Sequence, residues 1–289
     1  LIEDLSTSTL APVESTLSPA DVFATAIAAG EATKAAGPTQ EATSTPKPAP
    51  MIDPNRDYWW NETVFYEVFV RSFYDSDGDG VGDINGLIEK LDYLNDGDPN
   101  TTDDLGVTGI WLMPIMESPS YHGYDVVDYY SVDKEYGTNE DFKRLMDEAH
   151  KRGIYVIVDL VINHTSIQHP WFIDSKDANS PYRDWYMWSD TNPNYVGPWG
   201  QRVWHPLNGA YYYGVFWDGM PDLNLQNPVV TNQIENITRF WLNNMGVDGF
   251  RFDAIKHFIE DGTAQENTEF THEWLTEYNA FYKSVNPDA

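Results

Sequence analysis

The chain lacks cysteine, is poor in basic residues and has no long apolar run. Without Cys among its 289 residues, a disulfide framework, a thiolate metal site and a cysteine nucleophile are all excluded. Lys and Arg number 17 against 46 Asp and Glu, a formal net charge of −29 at pH 7. Because this charge repels phosphate backbones, we expect no nucleic-acid partner. Since no run of about eighteen apolar residues occurs, we also expect no membrane span.

The composition predicts a large folded region preceded by a polar tail. Hydrophobic residues make up 41% of the chain and aromatic residues 15%, which is enough for a sizeable core. Residues 1–50 are rich in Ala, Thr, Ser and Pro, and we expect a disordered linker there. The chain begins with Leu1 instead of Met, which suggests a missing upstream segment such as a signal peptide. We therefore expect a secreted, extracellular or cell-surface protein.

From residue 51 onward, apolar runs alternate with amphipathic helices. A helix is indicated, for example, by Phe142, Leu145, Met146 and Ala149 at helical spacing. Such alternation predicts βα units around a parallel sheet, an α/β fold. The predicted strands cover residues 64–70, 107–113, 154–162 and 247–254.

The alternation is interrupted at residues 163–222, a segment dense in Trp, Tyr, Pro and Gly. This is too long for an ordinary loop, so we predict an inserted domain between barrel segments 51–162 and 223–289. Regularity resumes at a helix with Asn227 as N-cap and Pro228 as first residue, ending at Gly246. We expect most aromatic residues of the insertion to form its small core, and assign none to sugar binding: Trp199, Trp204, Tyr211, Tyr212, Tyr213, Phe216 and Trp217.

Polar motifs stand at the carboxyl ends of the third and fourth predicted strands, where functional side chains lie in a parallel βα barrel. The motif DLVINH contains Asp159, Asn163 and His164. In GFRFDAIKH, Arg251 and Asp253 are two residues apart, so strand alternation places both on one face. Arg251 can then hold Asp253 ionised, as a nucleophilic carboxylate requires. A capped strand end and a buried ion pair are the structural alternatives.

The motif DSDGDGVGD predicts a third site, a calcium loop. Its acidic residues stand at positions 1, 3, 5 and 9, with a backbone carbonyl available at position 7. Gly86 occupies position 12, where an EF-hand has its closing Glu, so the loop is only EF-hand-like. An acidic surface turn is the alternative. The predicted Ca2+ ligands are Asp75, Asp77, Asp79, Val81 and Asp83.

Together these segments resemble the alpha-amylase family of retaining glycoside hydrolases. Four blocks occur in the family's order: GVTGIWLMP, DLVINH, MPDLN at residues 220–224, and GFRFDAIKH. The resemblance covers about residues 58–289. It implies a (β/α)8 TIM barrel with an inserted domain B after the third strand, an oligo- or polysaccharide substrate, and a structural Ca2+ in the acidic loop. A second calcium at Asn163 and the oligomeric state are left open.

The resemblance also implies individual roles. Asp253 becomes the catalytic nucleophile and Arg251 its orienting partner. The implied sugar contacts are Tyr124 and His164 before the scissile bond, and Lys256 and His257 beyond it. The MPDLN form, Ala254 and the Lys256-His257 pair favour α-1,4-glucans such as starch and maltooligosaccharides. Alternatives are an α-1,6-glucosidase, a trehalose-synthase-like enzyme, or a non-catalytic binding barrel, the last disfavoured because the nucleophile set is present.

The family barrel has eight strands, whereas four are predicted here. The resemblance places the general acid, a Glu, after the fifth strand and a further Asp after the seventh, so we expect both beyond Ala289. Glu273 is a false candidate because it falls inside the helix predicted near residues 269–284. We expect a half barrel with exposed strand edges, and no hydrolysis by these 289 residues alone.

Overall fold

Four apolar strands pair in parallel to form the main sheet. The computed structural model describes residues 58–289, and the linker predicted at residues 1–50 lies outside the described residues. Across the sheet the four strands lie in the order in which they occur along the chain. Helices and loops connect each strand to the next, so the architecture is a partial (β/α) barrel, as predicted. The sheet strands are β1 (Phe65–Val68), β2 (Gly109–Leu112), β5 (Tyr155–Leu160) and β9 (Gly249–Phe252).

The segments between the sheet strands supply the outer layer. Val70, predicted as the end of the first strand, instead begins helix α1, because the apolar run continues past the last residue that pairs with β2. The elements after β1 are α1 (Val70–Phe73), α2 (Ile84–Glu89) and α3 (Leu91–Leu94). Those after β2 are β3 (Met116–Glu117), β4 (Asp128–Val132) and α4 (Asn139–Lys151).

Helix α4 shows how local sequence determines this layer. Thr138 and Asp141 form a capping box at its start, which satisfies backbone N–H groups that the first turn leaves free. Its apolar residues fall on one buried face, including Phe142 and Leu145. Phe142 packs edge-on against Trp241 with ring centroids 5.4 Å apart. The predicted helix is confirmed, and it covers the sheet.

Besides the antiparallel pair of β3 and β4, a three-stranded antiparallel sheet lies in the long segment after β5. The last of its three strands along the chain lies between the other two. Val203, Tyr213 and Val215 form a small hydrophobic cluster separate from the main core. The elements are α5 (Pro170–Ser175), β6 (Trp188–Ser189), β7 (Trp204–Leu207) and β8 (Ala210–Tyr213).

Helix α6 (Pro228–Arg239) returns the chain to the barrel. Asn227 caps it by accepting a hydrogen bond from the N–H of Val229, and Pro228 is the first helical residue, as predicted. The last turns, Phe240–Met245, are π-helical, and the left-handed Gly246 ends them at φ 81°. After β9 comes α7 (Glu269–Val285). Among residues 58–289, no helix combines the length and apolarity needed to cross a membrane.

Candidate active site

The parallel register of β5 and β9 brings two motifs side by side. Asp159 pairs with Arg251 across the two strands. Arg251 Nη1 donates to Asp159 Oδ1 at 3.1 Å and to Asp253 Oδ1 at 2.6 Å. One guanidinium therefore joins carboxylates from both motifs at the carboxyl ends of the strands, where the sequence predicted a site.

The opposite face of β9 is apolar, which fixes the direction of the polar side chains. Phe250 and Phe252 stack with centroids 6.4 Å apart. Phe252 also meets Tyr278 of α7 at 5.2 Å. Alternation along the strand then directs Arg251 and Asp253 away from α7. Both keep partial exposure, with side chains 35% and 21% accessible, so a ligand can approach them.

Asp159 accepts hydrogen bonds from both Arg251 and Tyr124, a role that the sequence did not predict. Its side chain is fully buried, and Tyr124 Oη donates to its Oδ2 at 3.2 Å. Burial raises the pKa of Asp159 to about 6, while the charge and hydrogen bond of Arg251 act to lower it. The motif DLVINH did contain Asp159, but only the strand register shows that it holds Arg251 and Tyr124 together.

His164 is buried beside this network as a neutral imidazole. Its Nε2–H donates to the backbone carbonyl of Tyr124 at 3.0 Å, while Nδ1 lies 3.4 Å from Asn163 Nδ2. Burial lowers the pKa of His164 to about 4, although the charge of Asp253 acts to raise it. His164 is thus placed near Asp253 and helps to hold Tyr124, but both of its ring nitrogens already have protein partners.

Asn163 points toward a buried pair of carboxyl groups. Its Nδ2 donates to Asp222 Oδ2 at 3.1 Å, and its Oδ1 has no hydrogen-bond partner within the described part of the chain. Burial raises the pKa of Asp222, and the nearby Glu260 raises it further. Burial likewise raises the pKa of Glu260 to about 7. Asp222 links the end of β5 to the three-stranded sheet, because its backbone N–H donates to the carbonyl of Tyr213 in β8.

Lys256 and His257 stand on a short 3-10 turn, Ile255–His257, directly after the site. Lys256 Nζ forms an ion pair with Glu266 Oε1 at 2.8 Å. His257 is buried, its Nδ1–H donates to the carbonyl of Gln265 at 2.8 Å, and its Nε2 has no hydrogen-bond partner among residues 58–289. The hydrogen bonds of both side chains therefore go to the segment that follows the turn and not to Asp253.

The acidic loop brings together three of its four predicted carboxylates. Oxygens of Asp75, Asp77 and Asp83 all lie within 4.8 Å of one another, a spacing that one cation can bridge. Asp79 lies outside this group, and its Oδ1 accepts the N–H of Val81 at 2.7 Å. Backbone N–H groups, first that of Gly80, lower the pKa of Asp75. The donor set is all oxygen, as calcium prefers.

Together, a parallel barrel sheet and a carboxylate–arginine cluster at its carboxyl edge define the class of βα-barrel enzymes. The model for the alpha amylase catalytic domain matches residues 67–289. The chain therefore belongs to the alpha-amylase catalytic-domain family, a family of glycoside hydrolases, as its motifs predicted.

The relatives that match this chain are named for different activities. The chain is 48% identical over 231 residues to alpha-amylase 3 of Dictyoglomus thermophilum, covering 80% of this chain and 42% of that protein. It is 44% identical over 207 residues to an oligo-1,6-glucosidase of Heyndrickxia coagulans, covering 68% and 36%. The crystal structure of an alpha-amylase from H. orenii superposes with a TM-score of 0.72 at 52% identity, covering 78% of this chain and 46% of that one. The chain thus spans less than half the length of these relatives.

Proposed function

We propose that the protein containing this chain is a retaining glycoside hydrolase that acts on α-1,4-linked glucans and maltooligosaccharides. The observation that carries the proposal is the 2.6 Å pair between Arg251 and Asp253 at the carboxyl end of β9. A retaining mechanism needs a carboxylate nucleophile beside the anomeric carbon and a second carboxyl group that protonates the leaving oxygen. Asp253 takes the first role, and a Glu outside this chain takes the second.

In this proposal Asp253 attacks the anomeric carbon as the glycosidic bond breaks, which gives a glycosyl-enzyme that water then hydrolyses. Arg251 orients the Asp253 carboxylate through the 2.6 Å bond from its Nη1. Tyr124 and His164 line the position of the sugar before the scissile bond. Lys256 and His257 contact the sugar beyond it, where Lys256 offers an exposed cation.

The preference for α-1,4 over α-1,6 glycosidic bonds is the more specific part of the proposal. The MPDLN motif, Ala254 and the Lys256-His257 pair favour α-1,4 bonds, and a 48% identical relative is named an alpha-amylase. An α-1,6-glucosidase is the second candidate because an oligo-1,6-glucosidase is 44% identical. The intact Arg251–Asp253 pair disfavours a non-catalytic barrel.

The test compares maltotetraose with isomaltose as substrates for the full-length protein. We expect rapid cleavage of maltotetraose and slow cleavage of isomaltose, with Asp253→Asn losing at least about a thousandfold in kcat. Preference for isomaltose would instead support the second candidate. Absence of turnover on both substrates, or full activity of Asp253→Asn, would overturn the proposal.

Two further proposals accompany this function. The first is a structural Ca2+ held by Asp75, Asp77 and Asp83, with Asp79 and the carbonyl of Val81 completing the shell after a local rearrangement. The ion would neutralise the converging carboxylates and fix the loop between α1 and α2. The second is secretion to the extracellular space or cell surface, where a polymeric glucan is accessible.

A further inference from the structure

Trp199 is an exposed aromatic residue in the segment that holds the antiparallel sheet. Its accessibility is 58%, so it lies outside the small cluster of Val203, Tyr213 and Val215. One side of the indole stacks on Phe216, with centroids 5.9 Å apart and planes inclined by 28°. The other contact is edge-on with His257 at 5.5 Å. The exposed part of the ring therefore remains open beside the turn that follows β9.

Aromatic contacts connect Trp199 to the candidate active site. Phe216 lies 5.2 Å from His164 and 5.6 Å from His257, ring centroid to ring centroid. His164 in turn bonds to Tyr124, which reaches Asp159. The aromatic path therefore runs from the carboxylate–arginine cluster outward to Trp199.

The loop that carries Trp199 is held in place by hydrogen bonds. Gln201 Oε1 accepts the backbone N–H of Trp199 at 2.9 Å, and Gln201 Nε2 donates to the backbone carbonyl of Val215 at 2.8 Å. Two backbone bonds between Gly197 and residues 200–201 close the turn. These bonds hold the backbone of the loop, and stacking on Phe216 orients the indole without burying it, so a ligand that packs on the ring meets a surface already in place.

Two charged groups lie close to the exposed indole. Lys256 Nζ stands over the Trp199 ring, 5.9 Å from its centroid, and its ion-pair partner Glu266 is partly exposed. A pyranose has an apolar C–H face that packs on an aromatic ring, with hydroxyl groups around its rim. An ammonium donor and a carboxylate acceptor beside the ring match that rim.

We infer that Trp199 is a stacking platform for a glucosyl unit beyond the scissile bond, and that its identity determines how well longer α-glucan chains are used. The inference rests on the proposed function, since it deepens the description of that same site. The unit would lie on the indole with its hydroxyl groups toward Lys256 and Glu266. Phe216 supports the platform from beneath and acts as a positioning residue.

Measuring Trp199→Ala on two substrates distinguishes the loss of a sugar-stacking contact from a general effect of the substitution on folding. Maltohexaose places glucosyl units on both sides of the scissile bond, whereas α-glucosyl fluoride has fluoride as leaving group and no sugar beyond it. For the full-length protein with Trp199→Ala, we expect kcat/KM on maltohexaose to fall about tenfold, mainly through KM, because one aromatic stacking contact is lost. We expect kcat/KM on α-glucosyl fluoride to stay within about twofold of the wild-type value.

Two matched variants serve as controls. Trp199→Phe keeps a smaller aromatic face and should recover most of the activity on maltohexaose. Tyr93→Ala removes a comparably exposed aromatic side chain, 52% accessible, from helix α3. It should leave kcat/KM on both substrates unchanged. Unchanged use of maltohexaose by Trp199→Ala, or an equal loss on both substrates, would overturn the inference. If the wild-type protein turned over neither substrate, the proposed function itself would fail.

Discussion

Arg251 is the residue that defines the site, since it binds two carboxylates that come from different strands. Asp159 is fully buried, whereas Asp253 keeps 21% of its side chain accessible. The buried partner holds the guanidinium, and the accessible one is available for chemistry. The two carboxylates thus differ in role because they differ in solvent contact, although both bond to the same Nη1 atom.

Substitution of Asp159 tests whether this carboxylate serves mainly to hold Arg251 and Tyr124 in place. In Asp159→Ala, Arg251 and Tyr124 each lose a buried acceptor, so we expect the free energy of unfolding to fall by about 3 kcal/mol. The measurement is urea denaturation of the full-length protein. Asp92→Ala is the matched control, because Asp92 pairs with Arg152 at 2.7 Å but is 69% exposed, and should cost under about 1 kcal/mol. Equal effects of the two substitutions would contradict the argument.

At the scale of secondary-structure elements, the acidic loop between α1 and α2 is held mainly by hydrogen bonds among its own residues. Gly78 and Gly80 adopt φ values of 84° and 95°, which direct their N–H groups at the Asp75 carboxylate. Asp83 accepts from Ser76 and also caps α2 through the N–H of Gly86. A cation in the loop would therefore stabilise the start of that helix as well.

Removal of calcium gives the corresponding prediction. A chelator should lower the melting temperature of the full-length protein, because an ion that binds only the native state stabilises it. Asp77→Asn should weaken this dependence on the chelator. Asp98→Asn, in the acidic loop after α3, should leave it unchanged and serves as the matched control. A melting temperature that does not respond to the chelator would exclude the ion from this loop.

Sequence predicted the elements whose signals are local. Asn227 and Pro228 mark the start of one helical segment and Gly246 marks its end, and the structure confirms both bounds. The link from Asp159 to Arg251 spans 92 positions and depends on strand register, which periodicity does not encode. The exposure of Trp199 depends on a hydrogen-bonded turn whose bonds involve Gln201, and composition alone gave no sign of it.

At the scale of the whole molecule, buried titratable groups make stability depend on pH. Burial lowers the pKa of His164 to about 4 and that of His169 to about 3, whereas unfolded histidine titrates near 6.5. As pH falls below about 6.5, the unfolded state binds protons that the native state excludes, so stability is lost between about pH 6.5 and pH 4. Glu260 acts in the opposite sense, because its raised pKa favours the native state at lower pH.

His169 allows this acid sensitivity to be tested away from the active site. Its Nδ1 accepts the N–H of Trp171 at the start of α5, and Asn retains such an acceptor. In His169→Asn we therefore expect a smaller loss of unfolding free energy between pH 7.5 and pH 5 than in the wild type, because one proton fewer is bound on unfolding. Urea denaturation of the full-length protein at the two pH values measures the difference. His272→Asn, at an exposed position of α7, should reproduce the wild-type loss, and the same loss in His169→Asn would show that this imidazole does not contribute.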